Sequence, residues 1–237
     1  MMVKRTREVL KFVAHSKTVL TIAVRLGWLP GARYTNLRDV RRFDRLGFLD
    51  IEWSNYSFDR HLAAVRATRP LMTVARDMTD RRLFPQVIAE ADELARFADQ
   101  VIIVPKCRRL TADDMSRIPT HFVLGYSVPS SYGATSLDPK LFRRPVHLLG
   151  GRPDAQRRLA RRMPVVSLDC NRFTLDAAFG DYFTGDGFKP HPKGGYRRCL
   201  AESVRNINLN RTGFVGGPIS REDAPDAPSQ QVLPRAA

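Results

Sequence analysis

The stretch PVHLLGGRPDAQRRLARRMPVVSLDC, residues 145–170, decides the fold class of this chain. Its apolar run at 146–149 predicts a short buried strand, and the glycine pair at 150–151 breaks that strand. Pro153 suits the first turn of a helix, whose basic side chains indicate an exposed outer face. A second buried strand follows at 165–168, so the stretch predicts a strand–turn–helix–strand unit.

The second strand of this unit ends in Asp169. The C-terminal ends of parallel strands are where α/β folds keep their binding and catalytic groups. A carboxylate at that position is therefore a candidate for chemistry rather than for packing. Asp169 is the first candidate for a catalytic residue.

Similar units recur outside this stretch. Other short apolar runs that predict strands lie at residues 9–14, 47–53, 71–75, 101–104 and 122–126. Apolar spacing and helix-start signals predict helices at residues 61–68, 83–98, 111–118, 174–179 and 197–208. Residues 18–28 suit a helix or a strand, and residues 30–45 suit a basic loop or a short helix.

About six strands separated by helical stretches are typical of a parallel α/β sheet. The chain has no G-x-G-x-x-G after its first strand and no G-x-x-x-x-G-K-[ST], which disfavours dinucleotide-binding and P-loop folds. We predict a TIM-like (β/α)8 barrel, or a reduced form of it because the chain is short for eight full units. Residues 1–212 would form one catalytic domain, and residues 213–237, rich in Gly, Pro and Ser, a flexible disordered tail.

The chain carries a large positive charge, +15 from 39 basic and 24 acidic residues. An excess of this size is typical of proteins that bind a polyanion, most often nucleic acid. The alternative is an arginine-rich proteome, since arginine greatly outnumbers lysine here. The charge alone leaves both open.

Three isolated cysteines suit a reducing, cytoplasmic setting and form no CxxC or Cys/His pattern for zinc. No apolar run approaches the length of a membrane span. Polar residues at 15–17 interrupt the N-terminal apolar run, so we expect no signal peptide. We expect no metal and no redox cofactor.

Three acidic residues, Asp50, Asp77 and Asp169, lie at or near the ends of predicted strands. A closed barrel brings the ends of all its strands around one pocket, so acids distant in sequence would converge there. The alternative for each is a helix cap or a partner for an arginine, and Asp77 has Arg76 beside it. If the strand at 47–53 turns its apolar residues toward covering helices, Asp50 and Glu52 share its opposite face.

Three motifs, in order and at matching spacing, resemble a known family. FVLGYSV at 122–128, HLLGGRP at 147–153 and VSLDC at 166–170 resemble the second half of tRNA-guanine transglycosylases. Those enzymes have a GGLSVGE-type strand end, an LMGVGTP-type turn and an FDC-type motif. The chain is more specifically similar to phage relatives that insert 7-deazaguanines of the preQ0 type into DNA. The resemblance covers roughly residues 47–170.

The resemblance implies a role for each matching residue. Asp169 would attack the sugar C1′ and displace guanine, Asp77 would bind the base, and Asp50 would assist proton transfer. Two displacements through a covalent glycosyl-enzyme exchange the base and keep the sugar configuration. The remaining residues that would shape the base pocket are Gly125, Ser127, Gly150 and Gly151.

A duplex substrate requires that the target base be flipped out and held by stacking. Tyr126, Tyr132 and Trp53 are the candidates, each with a core or rim position as the alternative. The basic residues expected to contact phosphates are Arg157, Arg158, Arg161, Arg162, Lys193, Arg197 and Arg198. His147 and His191 show no metal or triad spacing and are interpreted as structural.

The chain departs from the tRNA enzymes after Cys170, where it lacks their cysteine-rich zinc site. DNA is therefore the favoured polymer over tRNA, with a 7-deazaguanine base as co-substrate. Two other hypotheses stay open. One is a different barrel enzyme acting on a nucleotide or phosphosugar, with Gly150 and Gly151 gripping phosphate. The other is a non-catalytic nucleic-acid-binding protein.

Overall fold

Eight parallel strands form a closed barrel in chain order, with the last strand beside the first. The computed structural model describes residues 8–130 and 134–209. The barrel strands are β1 (Leu10–Val13), β2 (Leu29–Arg33), β3 (Phe48–Asp50), β4 (Met72–Val74), β5 (Gln100–Ile103), β6 (Val123–Ser127), β7 (Val146–Leu149) and β8 (Val165–Asp169). The predicted TIM-like α/β barrel is confirmed.

Helices on the outside cover the barrel. They are α1 (Lys17–Arg25), α2 (Phe58–Thr68), α3 (Phe84–Ala95), α4 (Ala112–Ser116), α5 (Pro153–Ala160), α6 (Arg172–Ala178) and α7 (Tyr196–Leu209). Between α6 and α7, a small antiparallel hairpin pairs β9 (Asp181–Phe183) with β10 (Phe188–Pro190).

The chain is shorter than a typical eight-unit barrel because its helices are short or replaced by turns, whereas its strands are complete. All eight strands are present, but in the described residues of the β2–β3 and β6–β7 connections the helical elements are only the 3-10 turns Arg38–Val40 and Pro139–Leu141. Helix α4 has five residues, and Thr111 and Asp114 close a capping box at its start. The reduction expected from the chain length is thus found in the outer layer.

Strand β2 was not identified from the sequence. Its sequence LPGAR lacks an apolar run and contains Pro30 and Gly31, which normally indicate a turn. A side chain at Gly31 would lie 3.2 Å from the Val13 carbonyl oxygen and 3.3 Å from the Ala14 Cβ, so glycine permits close strand contact. The ambiguous segment before it is helix α1.

Strand β3 is shorter than the predicted strand at 47–53. The chain leaves the barrel after Asp50, and Trp53 begins a 3-10 turn with 58% of its surface exposed. The expectation that Trp53 faces covering helices is therefore wrong. Leu49 and Ile51 are buried as expected.

The barrel interior has an aromatic centre. Phe12 from β1, Phe48 from β3 and His147 from β7 are fully buried, with ring centroids 5.0–6.0 Å apart. The register pairs Phe12 with Asp169 and His147 with Ser167, so these residues point to the same side of their strands. The interior is a packed core with a polar edge toward the C-terminal ends of the strands.

Several other features bear on the expectations. Cys107, Cys170 and Cys199 are buried with free thiols. Among residues 8–130 and 134–209, no helix is long and apolar enough to cross a membrane. The predicted tail at 213–237 lies outside the described residues.

Candidate active site

The three acids singled out from the sequence occupy the same end of the barrel. Asp50 ends β3, Asp169 ends β8, and Asp77 follows the end of β4 by three residues. The charges of Asp169 and Asp77 both act on Asp50. The acids therefore lie at one end of the barrel, as parallel strands in a closed barrel require, whereas their convergence on one pocket stays a prediction.

Asp169 is held by donors on one of its oxygens. Its Oδ1 accepts a hydrogen bond from the Gly150 backbone N–H at 3.0 Å and lies 3.3 Å from His147 Nε2. The amide nitrogen of Gln156 donates to the Asp169 carbonyl oxygen at 2.7 Å and to the Gly150 carbonyl oxygen at 2.8 Å. Helix α5 thereby ties the glycine turn to the end of β8, and only 9% of the Asp169 side chain is exposed.

The glycine turn requires its two glycines. Gly150 and Gly151 have φ of +59° and +82°, a region that side chains disfavour. A Cβ on Gly151 would also lie 2.3 Å from Val128 Cγ1. The Gly150 N–H points at Asp169, so this turn holds the carboxylate at the end of β8.

Asp50 has different surroundings. Burial, and then the charge of Asp169, raise the pKa of Asp50 to about 7, against the opposing hydrogen bond from the Ile51 N–H. Arg33 is its cross-strand partner in register, but the Arg33 guanidinium pairs with Glu52 at 3.2 Å. Near neutral pH, Asp50 is therefore poised between its acid and its base form.

Asp77 pairs with a lysine rather than with its neighbour. Lys106 Nζ lies 2.7 Å from Asp77 Oδ2, and both side chains are about one-fifth exposed. Arg76 instead pairs with Glu90 at 2.9 Å and lies over the Tyr56 ring. The alternative that Asp77 serves Arg76 is wrong. The pair places a carboxylate and an ammonium side by side.

Two residues of this site were missed from the sequence. His147 was interpreted as structural, and Lys106 was not considered. The sequence carries no signal for His147, because its contact with Asp169 depends on the register that pairs it with Ser167. That register is a tertiary fact. Nothing in the sequence around Lys106 indicates its partner.

The proposed base-pocket residues differ in accessibility. A Cβ at Gly125 would lie 2.7 Å from Val104 Cγ2 and 2.8 Å from Ile102 Cγ2, so Gly125 makes room for core side chains. Ser127 is half-buried at the end of β6, where its N–H donates to Thr135 Oγ1 at 3.0 Å. Gly125 thus contributes packing, and Ser127 lies at the barrel end.

The stacking candidates are also separated by the structure. Tyr126 is buried and packs edge-on against Phe142, with ring centroids 5.0 Å apart, so it is a core residue. Trp53 is exposed just after β3, on the side of the barrel that carries the acids. Tyr132 lies outside the described residues.

Most of the basic residues assigned to phosphates lie away from the acids. Helix α5 runs from the end of β7 back to the start of β8, so Arg161 and Arg162 lie beside the opposite end of the barrel. Arg157 pairs with Asp186 and Arg158 with Asp154, each at 3.1 Å. Arg162 lies 3.7 Å from Asp138. The exposed basic residues at the start of α7 are Lys193, Arg197 and Arg198.

No group of three or more His, Cys, Asp or Glu residues within 8–130 and 134–209 is arranged to hold a metal ion. His191, interpreted as structural, is nearly buried. Its Nε2 lies 2.9 Å from Glu202, and its Nδ1 accepts from the Lys193 N–H at 3.0 Å.

Comparison with known proteins shows the fold and the family. The crystal structure of the YdjI aldolase from Escherichia coli K12 is similar, with a TM-score of 0.53 and 11% sequence identity over 90% of this chain and 93% of that chain. At that identity the similarity concerns the fold alone. No curated protein matches the sequence significantly. A family of unknown function, DUF6610, matches residues 23–211, and the chain therefore belongs to that family.

Proposed function

We propose that this protein is a transglycosylase that exchanges guanine in DNA for a 7-deazaguanine base of the preQ0 type. The observation that carries the proposal is a pair of carboxylates with different hydrogen-bond surroundings at one barrel end. Asp169 Oδ1 accepts the Gly150 N–H and contacts His147 Nε2, so the carboxylate is held in place at the end of β8. The pKa of Asp50, raised to about 7, allows it to give and take a proton near neutral pH.

Each carboxylate has one part in the reaction. Asp169 attacks C1′ of the target nucleotide, and the bond from C1′ to the guanine nitrogen breaks with its electron pair on the base. Protonated Asp50 gives its proton to the departing guanine and becomes a carboxylate. The product of this step is a glycosyl ester on Asp169, as in retaining glycosidases.

The second step reverses the first with a different base. The incoming 7-deazaguanine loses the N–H proton of its five-membered ring to Asp50. The nitrogen freed in this way attacks C1′. The ester bond breaks, Asp169 regains its charge, and Asp50 is again protonated. Two inversions at C1′ keep the original sugar configuration. The scheme requires no redox equivalent and no net proton.

The Asp77–Lys106 pair supports recognition of the base. Guanine presents a carbonyl acceptor next to two donors, the N1–H and the exocyclic amine. Asp77 would accept from the two donors, and Lys106 would donate to the carbonyl oxygen. A 7-deazaguanine shares this edge, so one site serves both the leaving and the entering base.

A DNA substrate agrees with the net charge of +15, because lysine and arginine side chains bind the negatively charged phosphates of DNA. The target nucleotide must leave the duplex to reach acids at a barrel end. Trp53, exposed beside that end, is the stacking candidate. The alternative of a phosphate-gripping glycine turn finds no support, because the Gly150 N–H already binds Asp169.

The test is mass spectrometry of nucleosides from DNA and tRNA of cells that express the protein with a supply of preQ0. We expect a 7-deazaguanine deoxynucleoside with the native protein and none with Asp169→Ala. If only tRNA were modified, the substrate would be tRNA rather than DNA. Unmodified DNA and tRNA, with purified protein still binding DNA, would favour the non-catalytic hypothesis.

A further inference from the structure

We propose that His147 is a positioning residue for Asp169, holding Oδ1 through its Nε2–H so that the other oxygen, Oδ2, faces the sugar. The contacts stand independently of the reaction, whereas the kinetic consequences rest on the proposed function. His147 belongs to the barrel interior and has no exposed surface. It cannot itself touch a polymer that binds at the barrel end.

The histidine forms the middle of a three-residue chain. Its Nδ1 lies 2.8 Å from Ser167 Oγ, and its Nε2 lies 3.3 Å from Asp169 Oδ1. Ser167 and Asp169 are two residues apart on β8 and so point into the barrel together. One ring therefore connects two side chains of the neighbouring strand.

The partners determine where the proton resides. An ionised carboxylate only accepts hydrogen bonds, so Nε2 carries the proton that points at Asp169. In neutral His147, Nδ1 then accepts the proton of the Ser167 hydroxyl. The direction of donation is Ser167 to His147 to Asp169, which orients the ring in the way that an outer partner orients a metal-bound histidine.

Aromatic packing fixes the plane of the ring. Phe48 stacks on His147 with centroids 5.0 Å apart and planes 21° apart, and Phe12 lies 6.0 Å away. The stacked ring and the close packing of a protein interior restrict rotation of the imidazole. The donor direction of Nε2 is therefore set before any substrate binds.

The two oxygens of Asp169 differ as a result. Oδ1 receives both the Gly150 N–H and the His147 Nε2–H. Among the residues that the structure describes, none hydrogen-bonds to Oδ2. An oxygen without donors is the better nucleophile, and fixing Oδ1 directs Oδ2 toward the substrate.

The first test measures the contact without any assay of function. Long-range proton–nitrogen NMR spectra show which nitrogen of each histidine carries the proton, and His147→Phe identifies the His147 signals. We expect the Nε2–H form in the native protein, and shifted His147 signals in Asp169→Asn. An Nδ1–H form, or signals indifferent to Asp169→Asn, would overturn the proposal even if base exchange occurs.

The second test compares two replacements in the exchange assay. His147→Gln keeps an amide donor near the Nε2 position, whereas His147→Phe keeps the ring shape and removes the donor. Loss of a hydrogen bond to a charged group predicts a kcat about 10- to 100-fold lower for the phenylalanine variant, with KM unchanged and partial rescue by glutamine. Equal activity of both variants would assign His147 to packing alone.

A matched control separates positioning from folding. His191→Phe removes another nearly buried histidine–carboxylate pair, that with Glu202, and should lower thermal stability without changing kcat. If the native protein shows no exchange while the NMR result holds, the proposed function fails and the His147 contact stands. If exchange occurs and His147→Phe retains full kcat, only the positioning role fails.

Discussion

The β7–β8 side and the β2–β3 side of the barrel end each present a carboxylate, but the two carboxylates have different hydrogen-bond donors around them. Asp169 Oδ1 receives the Gly150 N–H and contacts His147 Nε2, and these neighbours fix the position of the carboxylate. Asp50 receives one backbone N–H, and the nearby Arg33 turns to Glu52. If the proposed function holds, donors aimed at one acid and away from the other suit Asp169 to the role of nucleophile and Asp50 to that of proton carrier.

Removing the nucleophile should have the largest effect. Asp169→Ala eliminates the group that forms the covalent ester, so we expect exchange to fall by at least roughly 10⁴-fold. DNA affinity, measured by fluorescence anisotropy, should change little because the basic residues proposed to contact phosphates are left intact. Near-native exchange by Asp169→Ala would show that Asp169 is not the nucleophile.

Making Asp50 permanently neutral should have the next largest effect. Asp50→Asn can neither give nor take a proton, so we expect kcat to fall by about 10²- to 10⁴-fold. In the native protein, the first step should slow as the pH rises above about 7, where Asp50 loses its proton. Single-turnover rates between pH 5.5 and 9 measure this. A flat native profile would show that Asp50 is not the acid.

The same substitution has an opposite effect on stability. The pKa of Asp50 is raised in the folded protein, so stability is highest at low pH and falls as the pH rises from about 4 to about 7. Asp50→Asn should remove this dependence and stabilise the protein by roughly 1–3 kcal/mol at pH 8. Urea unfolding at pH 5 and pH 8 gives both values.

Distorting the glycine turn tests the β7–β8 side alone. Gly151→Ala places a Cβ against Val128 at a φ of +82°, so we expect a loss of about 2–4 kcal/mol of stability. Gly187→Ala is the control, because its Cβ would meet nothing within 4 Å. Thermal unfolding measures both. Equal unfolding temperatures would show that the turn tolerates side chains.

The smallest effect concerns the base-binding pair. Lys106→Gln weakens the donor beside Asp77, so we expect KM for the incoming guanine to rise about 10-fold with a small change in kcat. 2-Aminopurine lacks the carbonyl oxygen and also the N1–H that Asp77 would accept, so it should bind more weakly than guanine, with similar KM values for native and variant proteins. Competition assays with the two bases measure the difference. Equal losses for both bases would assign Lys106 to structure.

The sequence alone determined the strand–turn–helix–strand unit at residues 145–170, the barrel class and the position of Asp169. These follow from local signals, since apolar runs, a glycine pair and Pro153 act over a few residues. Strand β2 is not predicted from the sequence, because LPGAR contains residues typical of turns. Only contact with the neighbouring strands explains why a glycine is needed at Gly31.

Only the tertiary structure decided which side chains contact each acid. Lys106 beside Asp77, Arg33 turned to Glu52, and His147 behind Asp169 join residues from different strands. Strand register sets which side chains meet, and register depends on packing of the whole barrel rather than on nearby residues. The sequence therefore identified the acids, while barrel closure determined their hydrogen-bond and ion-pair partners.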